Sequence, residues 1–267
     1  MPMKRSLLFF VVLVLAIATA CVGVHEDEPE PVVPVIDPED GSADIGTRFF
    51  HRSLALEFTA TWCQYCPNMA EALRTAQGQR PGRLVEIAVH YADDMAAPES
   101  ATLSSRFSVT SYPTMILDWD SATAFQSPDP APMVWHVDQR LKQPVSGIAV
   151  DASLASAVRI SVKAAASGNY RVAAVLVTDG IVAEQAGYGP GFTNNAVLTG
   201  FLTDLTGQAL GSLEPDAEAS REFQLPQPSS GTRIVAWVFR EAEGGMLVDN
   251  VAQCALGKKI DYRYEAD

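Results

Sequence analysis

The sequence is short of positive charge, with 19 Lys and Arg against 32 Asp and Glu in 267 residues, a net charge of −13. Without a basic face it has no footprint for phosphate backbones, which excludes nucleic acid as a partner. The acidic excess is a solubility device that specifies neither fold nor activity. Cysteine is also scarce: only positions 21, 63, 66 and 254 carry it. Four cysteines in a chain this long exclude a disulfide-stapled miniprotein, and 48% hydrophobic residues are enough to build ordinary cores. Long apolar runs are missing as well. The one run present, Leu7–Ala18, follows Lys4 and Arg5 and is shorter than the roughly 20 residues a membrane-spanning helix needs. A basic start, a short apolar stretch and then the small residues Ala18-Thr19-Ala20 form a secretory signal pattern.

The small residues end at Cys21, and Ala-Thr-Ala-Cys resembles the lipobox of bacterial lipoproteins, in which the cysteine is lipidated. Residues 1–20 are thus expected to be a signal peptide and Cys21 the lipidated first residue, anchoring the chain to a membrane. From 21 to 45 the chain is rich in Pro and acid, including Glu28-Pro29-Glu30-Pro31. Such a chain is a semi-extended tether of at most about 70 Å.

Chemistry concentrates between residues 54 and 119. Leu54–Ala60 reads as a buried strand, Thr61–Pro67 as a turn, and Pro67–Gln77 as a helix with Met69, Leu73 and Ala76 on one face, ended by Gly78. Cysteines at i and i+3 across a strand-to-helix turn can close a small ring, and a helix N-terminus favours the thiolate at the first of them. Cys63 is therefore the candidate nucleophile and Cys66 the resolving thiol. The other reading of the pair is a structural disulfide, although so short a loop removes little unfolded-state entropy. A copper site of both thiolates with His90 is a third arrangement. A lone strand-end histidine is more commonly just a polar residue, so neither a metal site nor a cofactor is expected. Asp118 and Asp120 do not have the spacing of a calcium loop.

The stretch Glu57-Phe58-Thr59-Ala60-Thr61-Trp62-Cys63-Gln64-Tyr65-Cys66 resembles the thioredoxin superfamily. The likeness continues through a strand at Val85–Tyr91, a helix at Pro98–Phe107 and the segment Tyr112-Pro113-Thr114-Met115-Ile116-Leu117, similar to that family's cis-proline loop. The resemblance implies a mixed sheet with flanking helices, thiol–disulfide exchange, and roles for Pro113 and the backbone of Tyr112 against an extended substrate segment. Trp62, Gln64, Tyr65 and Tyr112 would then contact the substrate. It also implies that Glu57 is a buried carboxyl that takes the proton of Cys66; the other reading of Glu57 is an acid facing solvent at a strand edge.

After a helix at Pro132–Leu141 the texture changes. Two-residue alternation in Val158/Ile160/Val162, then strands at Arg171–Val177, Arg221–Leu225, Arg233–Phe239 and Met246–Leu256, point to an antiparallel β-sandwich. Val182–Gly211 reads as a long loop, and Cys254 as a buried free thiol. The expected organisation is a thioredoxin-like α/β domain at 46–143 followed by an all-β domain at 144–267.

The whole order resembles the outer-membrane-protein-twenty-eight-related bacterial lipoproteins. In the second half the likeness rests on Thr178-Asp179-Gly180 and Asn194-Asn195-Ala196-Val197-Leu198. Asn194 and Ala196 stand where that family has histidines. The resemblance implies a cell-envelope location, in the outer membrane facing the periplasm or the surface. Two functions follow from this: a lipid-anchored thiol–disulfide oxidoreductase acting on extracytoplasmic proteins, or a redox-inert binding or assembly module whose β-domain contacts an envelope partner.

Overall fold

The structure is a computed structural model that describes residues 48–154, 156–226, 230–242 and 245–266. The signal segment, Cys21 and the acidic tether lie outside the described residues.

The first half is β1 (Ser53–Thr59), α1 (Cys66–Gln79), β2 (Leu84–His90), α2 (Ser100–Arg106), β3 (Thr114–Leu117), β4 (Asp120–Phe125) and α3 (Ala131–Arg140). Strand β1 pairs parallel with β2 and antiparallel with β3, and β3 pairs with β4. With neighbours on both edges and cover on both faces, β1 has to be buried along its whole length. Leu54, Leu56 and Phe58 point to one core, which also holds Leu103, Phe107 and Trp119. Ala55 points to the other, filled by Met69 and Leu73 of α1 and Met133 and Val137 of α3.

Helix α1 runs past the expected stop at Gly78, because Gly78 keeps a negative φ on the exposed face. The helix ends at Arg80, whose N–H donates to the Ala76 carbonyl and whose guanidinium holds Asp138 of α3 at 2.7 Å. Asp118 is buried at the end of β3. It accepts from the Leu54 N–H at 2.7 Å and from His136 Nε2 at 2.7 Å, a structural tie and not a cation loop.

The second half contains β5 (Gly147–Asp151), β6 (Ala157–Lys163), β7 (Gly168–Thr178), β8 (Ile181–Gln185), β9 (Gly189–Asn194), β10 (Val197–Phe201), β11 (Gln208–Leu213), β12 (Glu218–Gln224), β13 (Thr232–Ala242), β14 (Gly245–Ala255) and β15 (Lys259–Ile260). The expected long loop at Val182–Gly211 is overturned: it contains the hairpin β8–β9, strand β10 and the start of β11. Glycines at positive φ (Gly187, Gly189, Gly191, Gly207) supply tight turns and irregular backbone that a composition count reads as loop.

The order β14-β13-β7-β10-β2-β1-β3-β4 forms one sheet, with β11 also on β7. Strands β5, β6, β12 and β15 form a second, four-stranded sheet. The two make the antiparallel sandwich, with Val150, Val158, Ile160 and Val162 facing Val172, Ala174, Ile234 and Ala236. On the opposite face, Ala173, Val175, Val177, Val235 and Trp237 enter the core that also holds Phe58 and Phe107. Strands β7 and β13 are therefore covered on both faces, which is why Val172–Val177 reads as an unbroken apolar run. The link between the halves is β10, antiparallel to β7 and parallel to β2 through Val197 opposite Ala88. One sheet thus takes strands from both sides of residue 143, where the sequence places a domain boundary. Cys254 is buried in β14 and, among the described residues, joins no disulfide.

Candidate functional site

Cys63 and Cys66 form a disulfide at the turn between β1 and α1. The turn is closed by the Cys63 N–H donating to the Ala60 carbonyl at 3.1 Å and the Cys66 N–H donating to the Cys63 carbonyl at 3.3 Å. Pro67 in the first helical turn costs no hydrogen bond, since N–H groups there have no intrahelical partner. Both cysteines are buried, Cys63 at 5% exposure and Cys66 at 2%, while Trp62, Gln64 and Tyr65 around them are exposed.

The Tyr112–Pro113 peptide is cis, and Tyr112 packs on the disulfide together with Ala60. Its ring meets Trp62 edge-on at 5.3 Å and stacks on Tyr91 at 5.5 Å, and the Trp62 indole donates to the Tyr91 carbonyl at 3.0 Å. Trp62, Cys63, Gln64, Tyr65 and Tyr112 thus line one shallow recess on the outer side of the disulfide. Ala186 and Gly187 of the β8–β9 hairpin complete it.

Composition alone gives no sign of this hairpin contact. Gln185, 2% exposed, donates from Nε2 to the carbonyls of Ala60 at 3.1 Å and Cys63 at 2.8 Å, and the Ala186 N–H donates to the Thr61 carbonyl at 2.8 Å. A buried glutamine is informative only when its partners are known, and those lie more than a hundred residues away in sequence. Gly187 takes φ +78°, and a Cβ there would sit 2.5 Å from the Gln64 carbonyl oxygen.

On the inner side, a cavity of about 330 Å³ is lined by Cys66, Glu57, Glu86, His90, Arg74 and Arg233, among other residues. Glu57 is 2% exposed, so the structure places it inside and not at a solvent-facing edge. Burial pushes its carboxyl well above the usual range, the neighbouring Glu86 adds to this, and Arg74 opposes it. Glu86 is pushed up to about 7, chiefly by desolvation and also by Asp179, against the pull of Arg233 and Arg74. His90 is not a partly exposed polar residue as the sequence implies. It is 1% exposed, with Nδ1 2.8 Å from Asp93 Oδ2, an oxygen that also accepts from the Thr61 N–H at 2.7 Å. Among the described residues no cluster of three His, Cys, Asp or Glu could hold a metal ion.

The two second-half motifs meet at one carboxylate. Asp179 accepts from the Ala196 N–H at 2.7 Å and from Arg233 Nε at 2.9 Å, and Gly180, at φ +76°, donates its N–H to Asn195 Oδ1 at 3.0 Å. Asn194 donates to the Ile181 carbonyl at 3.2 Å. These motifs fix where the hairpin leaves and re-enters the sheet, and thereby press it on the disulfide turn.

A strand–C-x-x-C–helix unit with a cis-proline opposite defines a thioredoxin-fold protein, and the thioredoxin model matches residues 48–139. The model for outer membrane protein Omp28 matches residues 100–260, more than half of the chain, so the chain belongs to the Omp28 family of envelope proteins. HBP35 of Porphyromonas gingivalis is similar in structure at TM-score 0.65 and 16% identity, over 82% of this chain and 78% of that one. A crystallised Agrobacterium tumefaciens protein is similar at TM-score 0.56 and 16% identity, over 80% and 97%. At such identities both show the fold alone. No curated protein matches the sequence.

Proposed function

We propose that this protein is a cell-envelope thiol–disulfide oxidoreductase, anchored through a lipid on Cys21, acting on extracytoplasmic protein thiols or disulfides. The observation that carries the reading is the asymmetry of the disulfide: Cys63 lines the outer recess, whereas Cys66 lines the inner cavity beside Glu57.

A substrate thiolate attacks Cys63 Sγ from the recess. The Cys63–Cys66 bond breaks, a mixed disulfide forms at Cys63, and the electron pair leaves on Cys66. Glu57, kept protonated by burial, supplies a proton to that thiolate, and takes it back when Cys66 closes on Cys63. Tyr112 and Pro113 hold the substrate strand, and Trp62, Gln64 and Tyr65 form the rim.

The test is a redox titration of Cys63 and Cys66 with differential alkylation. A potential above about −270 mV with selective alkylation of Cys63, followed by trapped mixed disulfides on Cys66→Ser, supports exchange. A pair still oxidised below about −300 mV overturns it. One observation favours a second reading, a redox-inert binding or assembly module: Gln185 and Ala186 tie down the disulfide turn from above. The same titration separates the two.

A further inference from the structure

The inner cavity holds more unpartnered polar atoms than proton traffic to Cys66 needs. Glu86, Ala88 and His90 alternate on one face of β2, and Glu57 is the direct cross-strand partner of Ala88. Two carboxyls and an imidazole therefore surround a residue whose side chain is a single methyl, and all four residues line the cavity. Among the described residues, neither Glu57 nor Glu86 receives a hydrogen bond: only desolvation and charges at a distance act on them. His90 Nε2 is buried without a partner. In the tautomer whose Nδ1–H donates to Asp93, Nε2 is an acceptor.

Across the cavity Arg233, 2% exposed, spends Nε and Nη2 on Asp179 at 2.9 and 3.4 Å and leaves Nη1 buried and unpartnered. Buried polar groups without partners are costly, and a site holding several of them is completed by a ligand that supplies the missing bonds. Three acceptors match the three N–H donors of a primary ammonium, and one guanidinium N–H matches a carboxylate. The rest of the wall includes Pro67, Ala70, Leu84 and Phe192, which suit a short aliphatic chain.

We propose that this cavity binds a small amino-acid-like zwitterion, its ammonium held by Glu57, Glu86 and His90 Nε2 and its carboxylate by Arg233 Nη1. The inference stands apart from the thiol chemistry, because binding is measured with the Cys63–Cys66 disulfide intact.

The experiment is calorimetric titration of the purified full chain with L-norleucine, against pentylamine, which lacks the carboxylate, and hexanoate, which lacks the ammonium. Norleucine is expected to bind at least about tenfold tighter than either. Glu86→Gln is expected to weaken it by about tenfold, and Ala88→Leu, which fills the space between the acceptors, to abolish it. An ammonium also favours the ionised carboxyls, so wild-type affinity is expected to rise between pH 6 and pH 8, with a shallower rise in Glu86→Gln. The other charged or titratable groups facing the pair are Arg74 on α1, Arg233 on β13, Asp179 after β7 and His90 itself. Absence of norleucine binding at about 10 mM ligand overturns the proposal, as does hexanoate binding equally well. An unchanged affinity in Glu86→Gln, with the variant's thermal unfolding showing it folded, overturns it too.

Discussion

At residue 57 a carboxyl sits in the interior with no hydrogen-bond donor among the described residues, and its folded-state pKa lies above that of the unfolded chain. An acid shifted upward makes the fold most stable below its unfolded pKa, and that stability is lost as pH rises towards the folded value. Glu57→Gln is therefore expected to stabilise the protein by about 1 kcal/mol or more at pH 8 and to make no gain at pH 4. Thermal unfolding at the two pH values checks this; a variant less stable at pH 8 contradicts it. His51 has the opposite sign. Burial pushes its imidazole down to about 4, Asp118 resists, and Arg140, Arg83 and His136 reinforce the shift. Its contribution is full above 6.5 and is lost as pH falls towards 4, up to about 3 kcal/mol. His51→Gln is expected to flatten the acid limb of the stability curve between these values, and an unchanged slope would exclude His51 as its source. Cys63 and Cys66 were legible as a pair from their i, i+3 spacing after a strand, whereas Glu57 and Pro113 stood out only through the likeness to thioredoxins. Glu86, Arg233 and Gln185 were not, since each gains its meaning only from partners on other strands.

The β8–β9 hairpin is where sequence reading failed at the scale of elements, and it is also where the site differs from a bare C-x-x-C turn. Glycine-rich strands carry weak alternation, so a hairpin docked by three hydrogen bonds looks like loop. The docking has a steric limit at Gly187, where positive φ and the Gln64 carbonyl both exclude a side chain. Gly187→Val is expected to lift the hairpin off the turn. Reduction of the disulfide by a small dithiol should then be several-fold faster, with a stability loss of about 1–3 kcal/mol. Gln185→Leu leaves the Ala60 and Cys63 carbonyls without their side-chain donor, at a cost of about 1–3 kcal/mol, and is expected to speed reduction in the same direction. Equal reduction rates in the wild type and both variants would mean that the hairpin does not govern access to Cys63.

For the whole molecule, the texture change after residue 143 is real but does not divide the packing. The sequence shows α/β character before it and alternating strands after it, and both are present. What local pattern does not show is that β10 joins β7 to β2 in one sheet, and that Trp237 and Val175 share a core with Phe58 and Phe107. Pairing across more than a hundred residues leaves no periodic trace. Removing residues 144–267 would strip β2 of its β10 neighbour and expose Phe58, Val85, Ile87 and Phe107 on one face of the remaining sheet. Such a fragment is expected to lack cooperative unfolding and to bind a hydrophobic dye, although its C-x-x-C motif is complete. The full chain is expected to unfold in a single transition, with far-UV circular dichroism and the fluorescence of its buried tryptophans, Trp119 and Trp237, coinciding. Two separated transitions, or a 48–143 fragment with a sharp melt of its own, would show that the halves are independent and that the shared sheet is only a contact between them.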